Sequence, residues 1–119
     1  MKKTILIIED DRTISDELSD ALGFFDFKVE RAFDGIKGYR RYSESNPDLI
    51  ILDVMLPGID GFEVCRKIRQ SDPVVPIVML TAKALESDKL LGFELGVDDY
   101  VVKPFSLKDV KSDLVLIKV

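Results

Sequence analysis

Polar side chains follow four of the apolar runs in the sequence, at the positions where strands would end. They are Glu9, Asp10 and Asp11 after the first run, Asp53 after the third, Thr81 after the fourth and Lys103 after the fifth. Carboxylates brought to one place repel one another, and a divalent cation relieves that repulsion. Because all the available ligand atoms are oxygens, the pattern favours a hard ion, and Mg²⁺ fits a few carboxylates with retained waters.

A carboxylate, a Mg²⁺ ion, a hydroxyl and an ammonium group at one edge of a sheet also make up a phosphoryl-transfer site. This chemistry depends on positioning and neutralising phosphoryl oxygens more than on moving protons. Asp53 lies in the middle of the row, so it is predicted to be the nucleophile. Thr81 and Lys103 would then hold the phosphoryl oxygens from the other side.

Each of these residues also has a purely structural explanation when it is taken alone. Asp10 or Asp11 could be the N-cap of the first helix, and Thr81 could cap a later one. Asp53 could accept backbone hydrogen bonds in the turn that follows it, and Lys103 could be a solvated cation. Because four separate strand ends supply complementary chemistry, the joint interpretation as a functional site is favoured.

The composition excludes several kinds of function. The 119-residue chain has no histidine and one cysteine, Cys65. Histidine-based triads, histidine-ligated zinc and a phosphohistidine carrier are therefore excluded, as are an internal disulfide and a cysteine-ligated cluster. With 17 Lys and Arg against 22 Asp and Glu, the formal charge is −5, which argues against direct binding of nucleic acid.

The elements that must position these residues alternate between apolar runs and amphipathic segments, a pattern typical of α/β proteins. Strands are predicted at residues 4–8, 27–29, 48–52, 76–80 and 99–102. Helices are predicted around residues 14–22, 35–42, 62–68, 84–95 and 107–117, from apolar spacings of three and four. The sequence therefore predicts an open, doubly wound (βα)₅ sheet, whose ligands bind beyond the carboxyl ends of the strands.

Several further positions carry expectations about packing. Phe24, Phe25 and Phe27 are expected in the core or at the exit of the first helix, and Cys65 is expected to be a small buried residue. Gly38 lies within the second helix, where glycine costs up to about 1 kcal/mol relative to alanine.

One domain, residues 1–119, is predicted, either as a stand-alone unit or as part of a longer protein. The apolar runs are far shorter than the ~18–20 residues that a membrane span requires. The N-terminus enters the first run without a signal-peptide cleavage site. A cytoplasmic protein without membrane contact is therefore expected.

Taken together, the motifs resemble the receiver domain of two-component response regulators over essentially the whole chain. The segments that carry the resemblance are Ile7-Ile8-Glu9-Asp10-Asp11, Pro47-Asp48-Leu49-Ile50-Ile51-Leu52-Asp53-Val54-Met55-Leu56-Pro57-Gly58, Leu80-Thr81-Ala82 and Tyr100-Val101-Val102-Lys103-Pro104-Phe105. The resemblance implies a flavodoxin-like sheet with strand order 2-1-3-4-5.

The resemblance also implies a phosphoacceptor and a metal site. Asp53 would accept a phosphoryl group from a phosphohistidine on a sensor histidine kinase. Asp10, Asp53 and the backbone carbonyl of Met55 would bind Mg²⁺ directly, and Glu9 would act through a water. The protein would catalyse only its own phosphorylation and slow autodephosphorylation.

A switch is implied as well. Thr81 and Lys103 would contact the phosphoryl oxygens, Tyr100 would change rotamer when Thr81 moves, and Lys103–Pro104 would be a cis peptide. Phosphorylation adds about −1.5 to −2 charges, which would bias the face formed by the fourth helix, fifth strand and fifth helix.

Residues 96–106 most resemble receivers joined to winged-helix DNA-binding domains, which dimerise through that same face. Lys89 and Asp109 occupy the positions of one interface ion pair. Asp113, however, stands opposite Asp99 where an arginine is usual. Because two acids repel across an interface, we expect a weak homodimer, with any DNA-binding output domain lying outside this chain.

Other functions remain open at this point. A Mg²⁺-dependent phosphohydrolase usually has a second acid two residues after its nucleophile, where this chain has Met55. A flavin-binding module would need a neutral phosphate-binding loop after the first strand, where three acids would repel the flavin phosphate. A degenerate receiver that acts as a phosphorylation-independent scaffold is the main alternative, and the complete set of site residues argues against it.

Overall fold

Five parallel strands form one sheet in the computed structural model, which describes residues 2–82 and 94–117. The strands are β1 Thr4–Ile8, β2 Lys28–Ala32, β3 Leu49–Asp53, β4 Ile77–Thr81 and β5 Asp99–Val102. Their order across the sheet is β2-β1-β3-β4-β5. The predicted fold class and strand order are confirmed.

Helices connect the strands and cover both faces of the sheet. They are α1 Arg12–Phe24, α2 Gly35–Ser45, α3 Gly61–Ser71 and α4 Leu107–Lys111. An aspartate caps each of the first three, and its side chain accepts a backbone N–H from the residue three positions on, which satisfies a donor that the helix leaves free. Among the described helices, none has the length and apolarity to cross a membrane. The helix predicted at 84–95 falls outside the described residues, apart from its last two.

The end of the chain differs from the single helix predicted over residues 107–117. α4 stops at Lys111, and Ser112–Leu116 form a 3₁₀ helix. The Ser112 hydroxyl donates to the Asp109 carbonyl, and Val115 is a β-branched residue, which weakens α-helical propensity. The tighter turn brings Asp113 to the interior while Val115 stays exposed.

The core has two layers, one on each face of the sheet. In β1, Leu6 and Ile8 belong to the layer beside α2 and α3, whereas Ile5 and Ile7 belong to the layer beside α1 and α4. All four are fully buried, and each such side chain contributes about 1.5–3 kcal/mol through its burial. Burial on both faces explains why the central strands are continuously apolar.

The strand β2 lies at the edge of the sheet and is longer than predicted. It pairs with β1 in parallel from Thr4 opposite Lys28 to Ile8 opposite Ala32. Glu30 and Arg31 interrupt the apolar pattern on which the prediction depended. An edge strand tolerates such polar residues because one side of it borders solvent.

Candidate functional site

The carboxyl ends of β1, β3, β4 and β5 meet at one edge of the sheet, as the sequence predicted. Asp53 and Thr81 are the last residues of β3 and β4, while Glu9 and Lys103 directly follow β1 and β5. The Lys103 ammonium lies 2.6 Å from Glu9 Oε1 and 3.3 Å from Asp53 Oδ1. Glu9 is fully buried and Asp53 is 3% exposed.

The three acids after β1 divide into different roles. Asp11 is the N-cap of α1 and accepts the Ile14 N–H. Asp10 is exposed. Glu9, Asp10 and Asp53 each contribute one carboxylate oxygen to a cluster in which all three oxygens lie within 4.8 Å of one another. The capping alternative therefore applies to Asp11, and Asp10 belongs to the acidic cluster.

Burial and charge shift the proton affinities of this cluster. Burial, then a hydrogen bond with Glu9 and the charge of Glu9, raise the pKa of Asp53 to about 7, even though Lys103 partly opposes them. For Lys103, burial disfavours the charged form, but hydrogen bonds and charges from Glu9 and Asp53 outweigh it and raise the pKa. One ammonium group thus pairs with two buried carboxyl groups.

This donor set fits a hard divalent cation. All of its ligand atoms are carboxylate oxygens, which Mg²⁺ prefers. Two of the acids, Glu9 and Asp53, are buried and share one cation, Lys103. Burial and the neighbouring Glu9 raise the pKa of Asp53, so Lys103 does not fully offset the cost of a negative charge there. A further cation would relieve that imbalance.

The loop after Asp53 is held close to the sheet by its backbone. The Val54 N–H donates to the Leu80 carbonyl, and the Gly61 N–H donates to the Val54 carbonyl. A Cβ on Gly61 would lie 2.2 Å from the Asp53 carbonyl oxygen, so only glycine fits at the start of α3. The sequence analysis did not single out Gly61, although a glycine directly after the α3 N-cap was a visible signal.

Met55 lies beside the predicted nucleophile. Its backbone N–H donates a long hydrogen bond of 3.4 Å to Asp53 Oδ1, and its side chain is exposed. The backbone of Met55 therefore contacts the Asp53 carboxylate, while its side chain faces solvent.

The two predicted switch residues lie on neighbouring strands. Thr81 is buried at the end of β4, and its carbonyl accepts the Lys103 N–H at 2.6 Å. Tyr100 is half-buried in β5, opposite Met79, and packs against the core layer beside α2 and α3. The Lys103–Pro104 peptide is cis, as predicted.

A direct contact between Glu9 and Lys103 was missed by the sequence analysis, which assigned Glu9 only a water-mediated role. Glu9 Oε2 also accepts the Asp11 N–H, so the carboxylate is held between the start of α1 and the residue after β5. Spacing along a sequence cannot reveal such a pairing, because the two residues belong to non-adjacent strands.

Asp113 and Asp99 meet within the same chain. The sequence analysis expected Asp113 and Asp99 to repel each other across a dimer interface; within one chain, the carboxyl group of Asp113 hydrogen-bonds Asp99. Asp113 is 8% exposed, and its Oδ2 finds no hydrogen-bond donor among the described residues. Burial, together with the hydrogen bond and the charge of Asp99, raises the pKa of Asp113 to about 7.

A comparison with known families decides the classification of this fold and site. The family described as the response regulator receiver domain matches residues 5–114. The chain belongs to this family. It is a receiver domain of two-component response regulators, as the resemblance of its motifs implied.

Individual relatives agree with this assignment. The Bacillus subtilis protein named uncharacterized transcriptional regulatory protein YclJ is 52% identical over 103 residues, 86% of this chain and 44% of that protein. The alkaline phosphatase synthesis transcriptional regulatory protein PhoP of the same species is 46% identical over 112 residues, 94% of this chain and 47% of that protein. This receiver thus spans less than half the length of these relatives.

Solved structures share its architecture. The BeF₃-activated N-terminal receiver domain of Klebsiella pneumoniae RstA has a TM-score of 0.90 and 31% identity, with 97% of each chain covered. The Vibrio cholerae chemotaxis protein CheY4 has a TM-score of 0.92 and 28% identity, covering 99% of this chain and 100% of that one. The relatives named as transcriptional regulators agree with the predicted likeness to transcription-factor receivers.

Proposed function

We propose that this receiver takes a phosphoryl group from a phosphohistidine of a sensor histidine kinase onto Asp53, in a reaction that depends on Mg²⁺. The observation that carries the proposal is the acidic cluster at the sheet edge, with oxygens of Glu9, Asp10 and Asp53 within 4.8 Å. The Lys103 ammonium, 3.3 Å from Asp53 Oδ1, supplies the complementary charge. Membership of the receiver family supports the same chemistry.

In the proposed step, a carboxylate oxygen of Asp53 bonds to phosphorus as the P–N bond to the kinase imidazole breaks. The imidazole leaves with the electron pair of that bond and takes a proton from solvent. Lys103 neutralises charge on the phosphoryl oxygens, and the Thr81 hydroxyl is proposed to contact them from the neighbouring strand. Slow autodephosphorylation is the reaction of the same acyl phosphate with water.

Asp10, Asp53 and the backbone carbonyl of Met55 are proposed to hold Mg²⁺ directly, with Glu9 acting through a water. When bound, the ion supplies positive charge that lowers the repulsion between the acids and an incoming phosphoryl group. The buried position of Glu9 and Asp53 strengthens this effect, because charges interact more strongly away from water.

During the reaction, the Lys103 ammonium is expected to interact with both Glu9 and the phosphoryl group on Asp53. Its ammonium now lies 2.6 Å from Glu9 and 3.3 Å from Asp53. A phosphorylated Asp53 would carry about −1.5 to −2 charges, more than the carboxylate of Glu9. We therefore expect Lys103 to shift toward the phosphoryl group and its contact with Glu9 to weaken.

The output is proposed to pass through Thr81 and Tyr100 to the face around β5 and the last helix. A phosphoryl group that draws Thr81 inward would make room for Tyr100 to change rotamer, so that phosphorylation selects between two arrangements of this face. The position of Tyr100 on β5, next to Asp99, connects the site with that face.

We further propose that the chain, residues 1–119, is one receiver domain of a longer cytoplasmic transcription regulator. The support is that relatives named as transcriptional regulatory proteins are about twice as long, since the chain covers 44% and 47% of them. DNA binding is assigned to a C-terminal output domain rather than to this domain, whose formal charge is −5. Homodimerisation through the β5 face is expected to be weak, because Asp113 stands where an arginine is usual at the interface of such receivers, so one cross-interface ion pair is missing.

The test is the intact mass of the protein after incubation with Mg²⁺ and acetyl phosphate. The wild type is expected to gain one phosphoryl group, roughly 80 Da, with the charge that accompanies it, and Asp53→Asn is expected to gain none. Asp11→Asn is the matched control, because it removes an acid at the same edge while asparagine still caps α1.

Two results would contradict the proposal. A mass gain that persists in Asp53→Asn would show that another residue is the acceptor. An unmodified wild type, even with a histidine kinase present and Mg²⁺ bound, would instead support the phosphorylation-independent scaffold.

A further inference from the structure

A basic groove runs along the exposed side of α2, beside the loops that follow β2 and β3. Two adjoining hollows of about 410 and 420 Å³ share Phe33, Lys37 and Arg40 as lining residues. We define the α2 groove by six of its lining residues, Arg31, Phe33, Ile36, Lys37, Arg40 and Arg41; the acids Asp34 and Glu44 also line the two hollows. The whole lining has four basic and two acidic residues, a positive excess in a chain whose formal charge is −5.

The cations of the α2 groove are unequally neutralised. Arg31 forms an ion pair with Asp16, and Arg41 lies 3.8 Å from Glu30. For Lys37 and Arg40, both exposed, no carboxylate lies within ion-pair distance in residues 2–82 and 94–117. The middle of the groove therefore keeps two positive charges available to a ligand.

An apolar surface adjoins these two cations. Ile36 is 56% exposed in the first turn of α2, a high value for a large aliphatic side chain. Phe33 is held in place by Arg12, whose guanidinium carbon lies 4.0 Å from the ring centroid. A ligand that combines negative charge with an apolar side chain would be complementary to both parts of the surface.

We propose that the α2 groove is a docking surface for an acidic segment of a partner protein that carries at least one apolar side chain. Charge complementarity with Lys37 and Arg40 favours acidic residues, and burial of Ile36 adds an apolar contribution. A nucleic acid is disfavoured, because the loop after Asp53 borders the groove and an extended polyanion would approach the acidic cluster.

The proposal goes beyond the phosphoryl chemistry, since no residue of the α2 groove belongs to the phosphorylation site. A partner bound in the α2 groove would leave Asp53 free to react at the carboxyl ends of the strands. Variants of the groove are therefore expected to gain the same mass with Mg²⁺ and acetyl phosphate as the wild type, which separates failure of this proposal from failure of the first.

The test uses ¹⁵N-labelled receiver and a short synthetic peptide of glutamates with a central leucine, followed by amide chemical shifts. We expect saturable shifts confined to the α2 groove, and about tenfold weaker binding in Lys37→Glu/Arg40→Glu, since two attractions become repulsions. A second variant, Lys37→Gln/Arg40→Gln, removes the two charges without reversing them. It should weaken binding less, and it still tests the proposal if the charge-reversed variant does not fold. Lys28→Glu/Lys108→Glu is the matched control, with the same change in net charge elsewhere on the surface.

Three outcomes would overturn the proposal. One is the absence of saturable shifts in the groove. A second is an equal loss of affinity in the control pair, which would mean that only net charge matters. The third is a short DNA duplex that binds the groove more tightly than the peptide, which would assign it to nucleic acid instead.

Discussion

Substitution of Asp113 by asparagine is expected to stabilise this receiver at neutral and alkaline pH. The carboxyl group of Asp113 is 8% exposed and meets the carboxyl group of Asp99. Above its pKa, the folded chain must therefore keep a poorly solvated negative charge beside a second acid. Asparagine has nearly the same shape, carries no charge and can donate an N–H to Asp99.

The size of the effect follows from the pKa of Asp113, which the fold raises from 3.8 to about 7. A difference of about three units at ~1.4 kcal/mol per unit sets a ceiling of about 4 kcal/mol. Because Asp99 borders a groove open to solvent, screening reduces this penalty, and we expect the variant to gain about 2 kcal/mol at pH 8.

The pH dependence has a definite sign. Below pH 3.8 both the folded and the unfolded chain hold the proton on Asp113, and the group contributes nothing to stability. Between pH 3.8 and about 7 only the unfolded chain releases it, so the free energy of unfolding falls as pH rises. Above that range both states are ionised, and the full penalty is present.

Urea denaturation followed by circular dichroism, at pH 5 and at pH 8, measures the difference between variant and wild type. We expect this difference to grow with pH, because the stabilisation is complete only when Asp113 is ionised in the wild type. Asp20→Asn, at an exposed position of α1, removes the same charge and should change stability little. A difference that is independent of pH, or that Asp20→Asn reproduces, would refute the assignment of a buried acid pair.

Three further changes have expected outcomes. Gly61→Ala should lower the free energy of unfolding by about 1–3 kcal/mol in urea denaturation, because its Cβ would lie 2.2 Å from the Asp53 carbonyl oxygen; an unchanged midpoint would show that the helix shifts freely. Lys103→Met should abolish or strongly slow the mass gain from acetyl phosphate, because it removes the ammonium 3.3 Å from Asp53; a wild-type rate would contradict its role. Ser106→Ala should cost about 1 kcal/mol, because its hydroxyl caps α4; equal thermal stability would argue against a contribution of the cap.

The positions of the candidate site residues could be predicted because topology determines them. Parallel strands end at one edge of the sheet, so a polar residue after each apolar run identifies the site without knowledge of any contact. Asp53, Thr81 and Lys103 were predicted in this way. Which of Asp10 and Asp11 caps α1 was left open, because both lie at suitable distances along the chain and only the backbone geometry distinguishes them.

Contacts between distant segments could not be predicted in the same way. The 2.6 Å pairing of Glu9 with Lys103 depends on side-chain directions. Phe24 was expected to pack in the core or at the exit of α1, yet it is 86% exposed, because hydrophobicity alone does not reveal which side of a helix end meets the sheet.

The second-helix glycine shows that local propensity can mislead. Gly38 was expected only to weaken α2, but a Cβ there would lie 2.7 Å from the side chain of Ile8. Its bare backbone is what lets α2 approach the sheet. Gly38 lowers the helix propensity of α2 because the close packing of α2 on Ile8 leaves no room for a Cβ, and spacing along the sequence does not show this contact.

The guanidinium of Arg69 connects several segments at the amino-terminal ends of β4 and β5, away from the acidic cluster. It donates to the carbonyls of Gly96 and Asp72 and pairs with Asp98, which itself accepts the Ile77 N–H. The residues leading into β5 are thereby anchored to α3 and to the start of β4. Both ends of β5 are therefore held, since the Lys103 N–H donates to the Thr81 carbonyl at the other end, and a lengthwise movement of β5 past β4 would have to break these hydrogen bonds.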